Sequence, residues 1–182
     1  MDMAARISVP RYTIADLESF PEDGSRYELL DGMLLVTPQA SLHHQTVASQ
    51  LMFLLERHVG DLAWVVGPAA VEQGDRTHLE PDILVFPKLY SPRLHWRKIR
   101  EHWLVVEVLS RSSKAYDRVF KRDACLKIGA REVWIVDRDE CLVEVSTEPG
   151  KFRRVRSVIR WRVPGTNRIV PIDVAGLFKS VE

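Results

Sequence analysis

The sequence has few cysteines, no long apolar run and almost no net charge. Each of these features argues against a class of protein. The 182 residues include two cysteines, Cys125 and Cys141, without a Cys-x-x-Cys or Cys/His metal spacing, which predicts a reduced, cytoplasmic protein. No run of about eighteen apolar residues exists, so no membrane helix is expected. The first twenty residues mix charged with apolar side chains, so no secretory signal is predicted. The formal net charge is +1, so binding to nucleic acid would require a local basic surface.

The composition is that of one ordinary globular domain. Hydrophobic residues make up 46% and charged residues 28% of the chain, so we predict a single domain over residues 1–182. Asp31-Gly32 is a strong signal for a two-residue hairpin turn, and Ser41 is a suitable cap for a long helix. The predicted helices span residues 13–20, 42–58 and 115–128. The predicted strands span 27–30, 33–36, 62–66, 69–71, 81–86, 103–109, 132–136, 141–146 and 152–159, with a short further element over 172–178.

The order of these elements predicts an α/β fold: a mixed β-sheet flanked by helices, with an N-terminal hairpin and antiparallel C-terminal strands. The helix over 115–128 has the length of a crossover, so the strands 103–109 and 132–136 are predicted to be parallel neighbours. The strands 62–66 and 69–71 are predicted to lie about a Gly67-Pro68 turn.

Two carboxylates interrupt apolar strands. Asp82 begins the first of these strands, and Glu107 lies deep within the second, between apolar residues on both sides. Burying an unpaired charge is costly, so such carboxylates need a partner, and a hard divalent cation is a natural one. Asp82 is equally consistent with a turn aspartate that caps a backbone N–H. Glu107 favours a functional role, because buried strand glutamates are uncommon unless they are paired.

A lysine on the following helix completes the candidate site. Lys121 falls at the border of the inward helix face, from which its ammonium can extend toward the end of the Glu107 strand. The alternative is a surface pair with Asp117, four residues earlier, worth about 0.3 to 0.5 kcal/mol. An ammonium beside a metal stabilises charge that develops on a phosphate. Together with Asp82 and Glu107, the lysine indicates a metal-dependent phosphodiesterase.

At these residues the sequence resembles the PD-(D/E)XK nuclease superfamily and, within it, the restriction-endonuclease-like Uma-two family. The resemblance runs over about residues 27–144 and is carried by YELLDG, SLHHQTV, EPDILVF, LVVEVLS, the helix from Asp117 to Lys121, and VWIVD. The superfamily usually places its lysine two residues after the acidic strand residue. That position is Leu109 here, and the resemblance implies that Lys121 takes its place from the helix. The tyrosine that the family tends to carry four residues beyond the lysine is Cys125 here.

The resemblance implies a role for each site residue. Asp82 and Glu107 would bind one or two Mg²⁺ or Mn²⁺ ions through oxygen, and Lys121 would act on the phosphate. Glu28 would be a further acidic member of the site and His44 its neighbour. From the residues alone, Glu28 is equally consistent with a solvent-facing strand position, and His44 with a packed histidine in the first turn of a helix.

Two basic stretches, residues 93–100 and 151–162, offer contacts for DNA, because phosphates supply most non-specific affinity. Trp96, within the first stretch, could stack on a base. The second stretch is equally consistent with an edge strand whose charges deter aggregation. The candidate DNA-contacting residues are Arg97, Lys98, Arg100, Arg153, Arg154 and Arg156.

The function predicted from these features is a metal-dependent endonuclease that hydrolyses phosphodiester bonds in DNA. Small nucleases often pair two sites to cut both strands, so a homodimer is compatible with this function. Two alternatives stay open. One is a non-catalytic module that keeps the nuclease fold and binds DNA or a protein, and the other is a metal-dependent hydrolase with a different substrate.

Overall fold

The computed structural model describes residues 11–110 and 114–179. Residues 1–10, part of the stretch in which no signal peptide was expected, lie outside the described residues. The strands are β1 (Arg26–Leu30), β2 (Met33–Thr37), β3 (Ala63–Val66), β4 (Val71–Gln73), β5 (Thr77–Leu79), β6 (Ile83–Pro87), β7 (Leu104–Val108), β8 (Val133–Asp137), β9 (Leu142–Glu148), β10 (Lys151–Val155), β11 (Val158–Arg162) and β12 (Ile169–Asp173). The α-helices are α1 (Ile14–Leu17), α2 (Leu42–Val59), α3 (Lys114–Tyr116), α4 (Arg122–Ile128) and α5 (Val174–Lys179). Within these ranges, no helix has the length and apolar character needed to cross a membrane.

A six-stranded mixed sheet forms the centre of the fold, in the order β10-β9-β8-β7-β6-β3. The pair β7 and β8 is parallel, and the other neighbours are antiparallel. The parallel pair confirms the predicted crossover. Strands β6, β7 and β8 are buried along their whole length, as expected for strands that are covered on both faces.

Two apolar cores cover the faces of this sheet. On one face, Val106 and Trp134 pack with α2, α5 and the two-stranded sheet β11-β12. On the other face, Leu84 and Ile135 pack with Cys125 of α4 and with strands of a four-stranded sheet. Because side chains alternate along a strand, Glu107 points to the second face, beneath the helix that carries Lys121.

The N-terminal hairpin is confirmed. Asp31 and Gly32 have φ of 51° and 79°, the positive values that a tight two-residue hairpin turn requires. The hairpin belongs to the four-stranded sheet β2-β1-β5-β4. Strand β5 was not predicted, because three residues are too few to show an alternating pattern.

One predicted strand is wrong in its extent. The strands predicted on either side of Gly67-Pro68 are present as β3 and β4, and this turn carries the chain from the six-stranded to the four-stranded sheet. The strand predicted over 152–159 is broken at residues 156–157, where the chain leaves the central sheet and enters β11. The predicted element over 172–178 comprises the end of β12 and α5.

The crossover helix is not uniform. A π-helical turn, Asp117–Lys121, lies between α3 and α4, and such turns are frequent at functional sites. Gly129, with a φ of 114°, ends the helix as predicted. The π-helical turn buries Asp117 and Lys121 and exposes Val119 and Phe120, so it presents its charged residues to the protein interior.

Candidate active site

Asp82 and Glu107 meet at one end of the central sheet. Strands β6 and β7 pair with Ile83 opposite Val106, and the next position outward along this register sets Asp82 opposite Glu107. Oδ2 of Asp82 also accepts a hydrogen bond of 2.8 Å from the backbone N–H of Val108. Asp82 therefore accepts a hydrogen bond from a backbone N–H, as predicted for a capping aspartate. It also lies beside Glu107, as predicted for a site residue.

Asp82 has two cationic or potentially cationic partners. Nη1 of Arg26 lies 2.9 Å from Oδ1, and Nε2 of His44 lies 3.0 Å from Oδ2. His44 is held at the start of α2, where its backbone N–H donates to the capping side chain of Ser41. Burial alone would raise the pKa of Asp82, but His44, Arg26 and the backbone N–H lower it below the usual range. Asp82 is therefore a carboxylate at neutral pH.

Lys121 joins the helix to two carboxylates. Its Nζ lies 2.6 Å from Oε1 of Glu28 and 2.9 Å from Oε1 of Glu107, and it donates to the carbonyl of Glu80 at 3.0 Å. The side chain is 2% exposed, so the alternative of a surface pair with Asp117 is wrong. Burial alone would lower the pKa of Lys121, but Glu107, Glu28 and Asp117 hold it well above its usual value. Lys121 is a buried ammonium.

Glu28 faces inward rather than toward solvent. It is 3% exposed, so the solvent-facing alternative is wrong. In addition to Lys121, its Oε1 accepts a hydrogen bond of 2.5 Å from the backbone N–H of Glu80. Glu28 thereby ties β1 to both the helix and the segment that leads into β6.

Burial and neighbouring carboxylates disfavour the charged form of Glu107. Burial raises its pKa well above the usual value; Lys121 opposes this, and repulsion from Asp82, Asp117 and Glu28 adds to it. Its Oε1 is buried and accepts no hydrogen bond of normal geometry, despite the ion pair with Lys121. Among the described residues, the site thus holds four buried acidic side chains (Asp82, Glu107, Glu28 and Asp117) and one buried ammonium, and Arg26 and Arg138 are partly exposed cations in the same pocket.

This donor set fits a hard divalent cation. Across residues 11–110 and 114–179, no three His, Cys, Asp or Glu side chains converge in the arrangement of a complete metal site. Mg²⁺ does not need one, because it keeps several waters and is often bound by one or two carboxylates together with substrate phosphate. Asp82 and Glu107 are the carboxylates that lie opposite one another, and an added cation would relieve the repulsion at Glu107.

The site opens into a pocket of about 360 Å³. Sequence reasoning missed Arg138, which follows β8. The signal for it was the predicted parallel pairing of β7 and β8, since the carboxyl ends of parallel neighbours meet at one edge of the sheet. The pocket is lined by Arg26, Glu28, Thr37, Pro38, Gln39, Ala40, Ser41, His44, Asp82, Glu107, Val108, Ser110, Asp117, Lys121 and Arg138.

The predicted DNA-contacting residues do not line this pocket. Arg97, Lys98 and Arg100 belong to the connection from the end of β6 to the start of β7, which leaves the central sheet at the end opposite Asp82. The second stretch lies on and just after β10, at the edge of the central sheet. There, Arg154 pairs with Glu144 and Arg156 with Glu140.

Comparisons with known proteins point in one direction. The model of the Uma2 (Uma-two) family, described as a "putative restriction endonuclease", matches residues 14–171. Among solved structures, the fold is similar to a "putative nuclease belonging to DUF820" from Anabaena variabilis, with a TM-score of 0.73 and 21% identity. That similarity covers 94% of this chain and 99% of the other; at this identity it concerns the fold. No curated protein matches the sequence.

Proposed function

The chain belongs to the Uma2 family, whose model it matches over most of its length, and we propose that it is a metal-dependent endonuclease that hydrolyses phosphodiester bonds in DNA. The observation that carries this proposal is the position of Lys121. Its buried ammonium bridges Glu28 and Glu107, beside Asp82, in the wall of an open pocket. A buried ammonium among acidic side chains is suited to a site that takes a negatively charged substrate together with a positively charged cofactor.

Asp82 and Glu107 are the residues proposed to hold Mg²⁺ or Mn²⁺. A divalent ion bound there would lower the pKa of a water molecule and polarise the phosphodiester. The support for these ligands is that Asp82 is held as a carboxylate, whereas Glu107 has a raised pKa that an added cation would lower.

The other site residues are proposed to position and stabilise. Lys121 would place positive charge beside the phosphate and offset the charge that grows on its oxygens as the bond breaks. Glu28 would keep that ammonium oriented through the 2.6 Å contact. His44 and Arg26, each within 3.0 Å of Asp82, would fix the orientation of its carboxylate.

The proposed partner is DNA, with the edge-strand arginines Arg153, Arg154 and Arg156 as contacts to the phosphate backbone away from the pocket. Arg97, Lys98 and Arg100 would reach only a duplex that extends past the far end of the sheet. Cleavage of both strands would need two sites, which we propose a homodimer supplies. The two cysteines form no disulfide, which is consistent with a proposed cytoplasmic location.

Cleavage of supercoiled plasmid tests the function. The wild type is incubated with Mg²⁺ or Mn²⁺ and with EDTA, beside Asp82→Asn and a control, Glu56→Gln, which neutralises an exposed carboxylate outside the pocket. We expect metal-dependent nicking by the wild type and by Glu56→Gln, and none by Asp82→Asn. Equal nicking by all three would contradict the site. Binding of DNA without nicking would favour the non-catalytic module.

A further inference from the structure

Among the described residues that line the pocket, Arg138 is the permanent cation without a carboxylate partner. Of the other permanent cations that line the pocket, Arg26 contacts Asp82 and Lys121 contacts Glu28 and Glu107. Within the part of the chain that the structure describes, Arg138 has no carboxylate within 4.0 Å, and its one hydrogen bond runs from Nη2 to the carbonyl of Leu109 at 3.3 Å.

Asp137 and Asp139, the acidic residues next to Arg138 in the chain, form ion pairs with other cations. Oδ2 of Asp137 lies 2.5 Å from Arg118, and Oδ2 of Asp139 lies 2.6 Å from Lys114. Oδ1 of Asp137 accepts the backbone N–H groups that follow Arg138 in the chain. The two aspartates that flank Arg138 in the chain are therefore both engaged with other cations.

Arg138 also has a buried hydrogen-bond donor without an acceptor. Its Nε is buried and has no hydrogen-bond partner, which is costly for a charged donor. The bond to Leu109 anchors the guanidinium at the carboxyl end of β7, two residues beyond Glu107. A guanidinium held in this way offers its remaining N–H groups as a fork that matches phosphate oxygens.

We propose that Arg138 binds a phosphate of the substrate's nucleic-acid backbone in the pocket, and that it positions the phosphodiester against the Asp82–Glu107–Lys121 cluster. This inference rests on the proposed function and adds to it the group that holds the substrate's anion. A phosphate would give Arg138 the anionic partner that it lacks, since Asp137 and Asp139 contact other cations. It would also approach the carboxylate-rich end of the pocket with its charge already partly balanced.

The test compares the wild type with Arg138→Gln, Arg138→Lys and a matched control, Arg131→Gln, which removes one positive charge at an exposed position outside the pocket. Far-UV circular dichroism and urea unfolding establish that each variant is folded. Two quantities are measured: kcat/KM for cleavage of a fluorescent duplex with Mn²⁺, and the salt dependence of duplex binding in EDTA by fluorescence anisotropy.

If Arg138 holds a phosphate, Arg138→Gln lowers kcat/KM by about 100-fold, the scale of losing one donor to a reacting oxyanion. It also reduces the slope of log K against log salt by about 0.9, the value of one phosphate contact. Arg138→Lys keeps the salt slope but recovers only part of kcat/KM, because an ammonium lacks the planar fork. Arg131→Gln leaves both quantities unchanged.

Different results overturn the two proposals. A wild type that cleaves, with Arg138→Gln equal to it in rate and salt slope, overturns the role of Arg138 and leaves the nuclease intact. A wild type that binds but does not cleave, with the slope still reduced by Arg138→Gln, overturns the proposed hydrolysis and supports the phosphate contact. A wild type that neither binds nor cleaves overturns both.

Discussion

The ammonium of Lys121 lies 2.6 Å from a carboxylate oxygen of Glu28, a contact that joins the N-terminal hairpin to the crossover helix. Both side chains are almost fully buried, and Glu107 is a second carboxylate within 2.9 Å of the same nitrogen. The charges of the site are therefore part of the structural framework as well as of the proposed chemistry.

Removal of the buried ammonium should destabilise the protein strongly. Lys121→Met leaves Glu28 and Glu107 without their cation, and we expect a loss of about 3 to 5 kcal/mol in the free energy of unfolding. Urea denaturation measures this loss. The triple change Lys121→Met, Glu28→Gln, Glu107→Gln should recover most of it, because the two side chains that contact the ammonium are then neutral as well. A single variant that loses under about 1 kcal/mol would contradict the ion-pair geometry on which the expectation rests.

Substitution of the strand glutamate should separate folding from metal binding. Because its pKa is raised well above the usual value, the neutral amide of Glu107→Gln resembles the protonated side chain, and stability should be kept or increased. Calorimetry should show that binding of Mg²⁺ or Mn²⁺ is lost, while Glu56→Gln still binds. Binding of magnesium by Glu107→Gln as tightly as by the wild type would refute the ligand assignment.

Acid should destabilise the fold through His102. This side chain is 2% exposed and neither ring nitrogen has a hydrogen-bond partner; burial, with a smaller effect of Arg100, lowers its pKa to about 4. The unfolded state takes up a proton near pH 6.5 and the folded state does not, so stability is complete above 6.5 and falls as the pH approaches 4. The loss should reach about 3 kcal/mol.

Urea denaturation of the wild type and His102→Phe at several values between pH 7.5 and 4 isolates this effect. The variant has no imidazole to protonate, so its stability should decline less steeply over the same window. Parallel pH profiles for the two proteins would show that acid acts elsewhere, on carboxylates such as Asp82 whose pKa is lowered in the fold.

A small residue behind the site should prove essential for its geometry. A Cβ added at Gly67 would collide with the backbone carbonyl oxygen of Asp82, and backbone cannot move aside as a flexible side chain does. Gly67→Ala should therefore displace Asp82 and lower plasmid cleavage by at least tenfold. The control is Gly176→Ala, whose new Cβ would crowd only the side chain of Asp173, remote from the pocket. Equal activity in both variants would argue against this positioning.

The sequence predicted those site residues that break a local pattern. Glu107 interrupts an apolar strand and Lys121 borders an apolar helix face, so each was visible from its neighbours. Glu28, which only the family resemblance indicated, and Arg138, which was not predicted, break no pattern, because a charged residue on a hairpin or after a strand is ordinary. Their roles arise from contacts between distant segments. Strand β5 likewise depends on contacts between distant segments, because it pairs with β1 on one side and with β4 on the other.

The assembly of the site from distant segments has a consequence for biosynthesis. Glu28 emerges early during translation, its partner Lys121 follows only after β6 and β7, and Arg138 follows only after β8. Non-local contacts of this kind form slowly, since the chain loses the entropy of closing large loops before the contacts contribute any stabilising free energy. A nascent or truncated chain would therefore carry the acidic residues without an organised site, and the proposed activity would arise only once the whole sheet has folded.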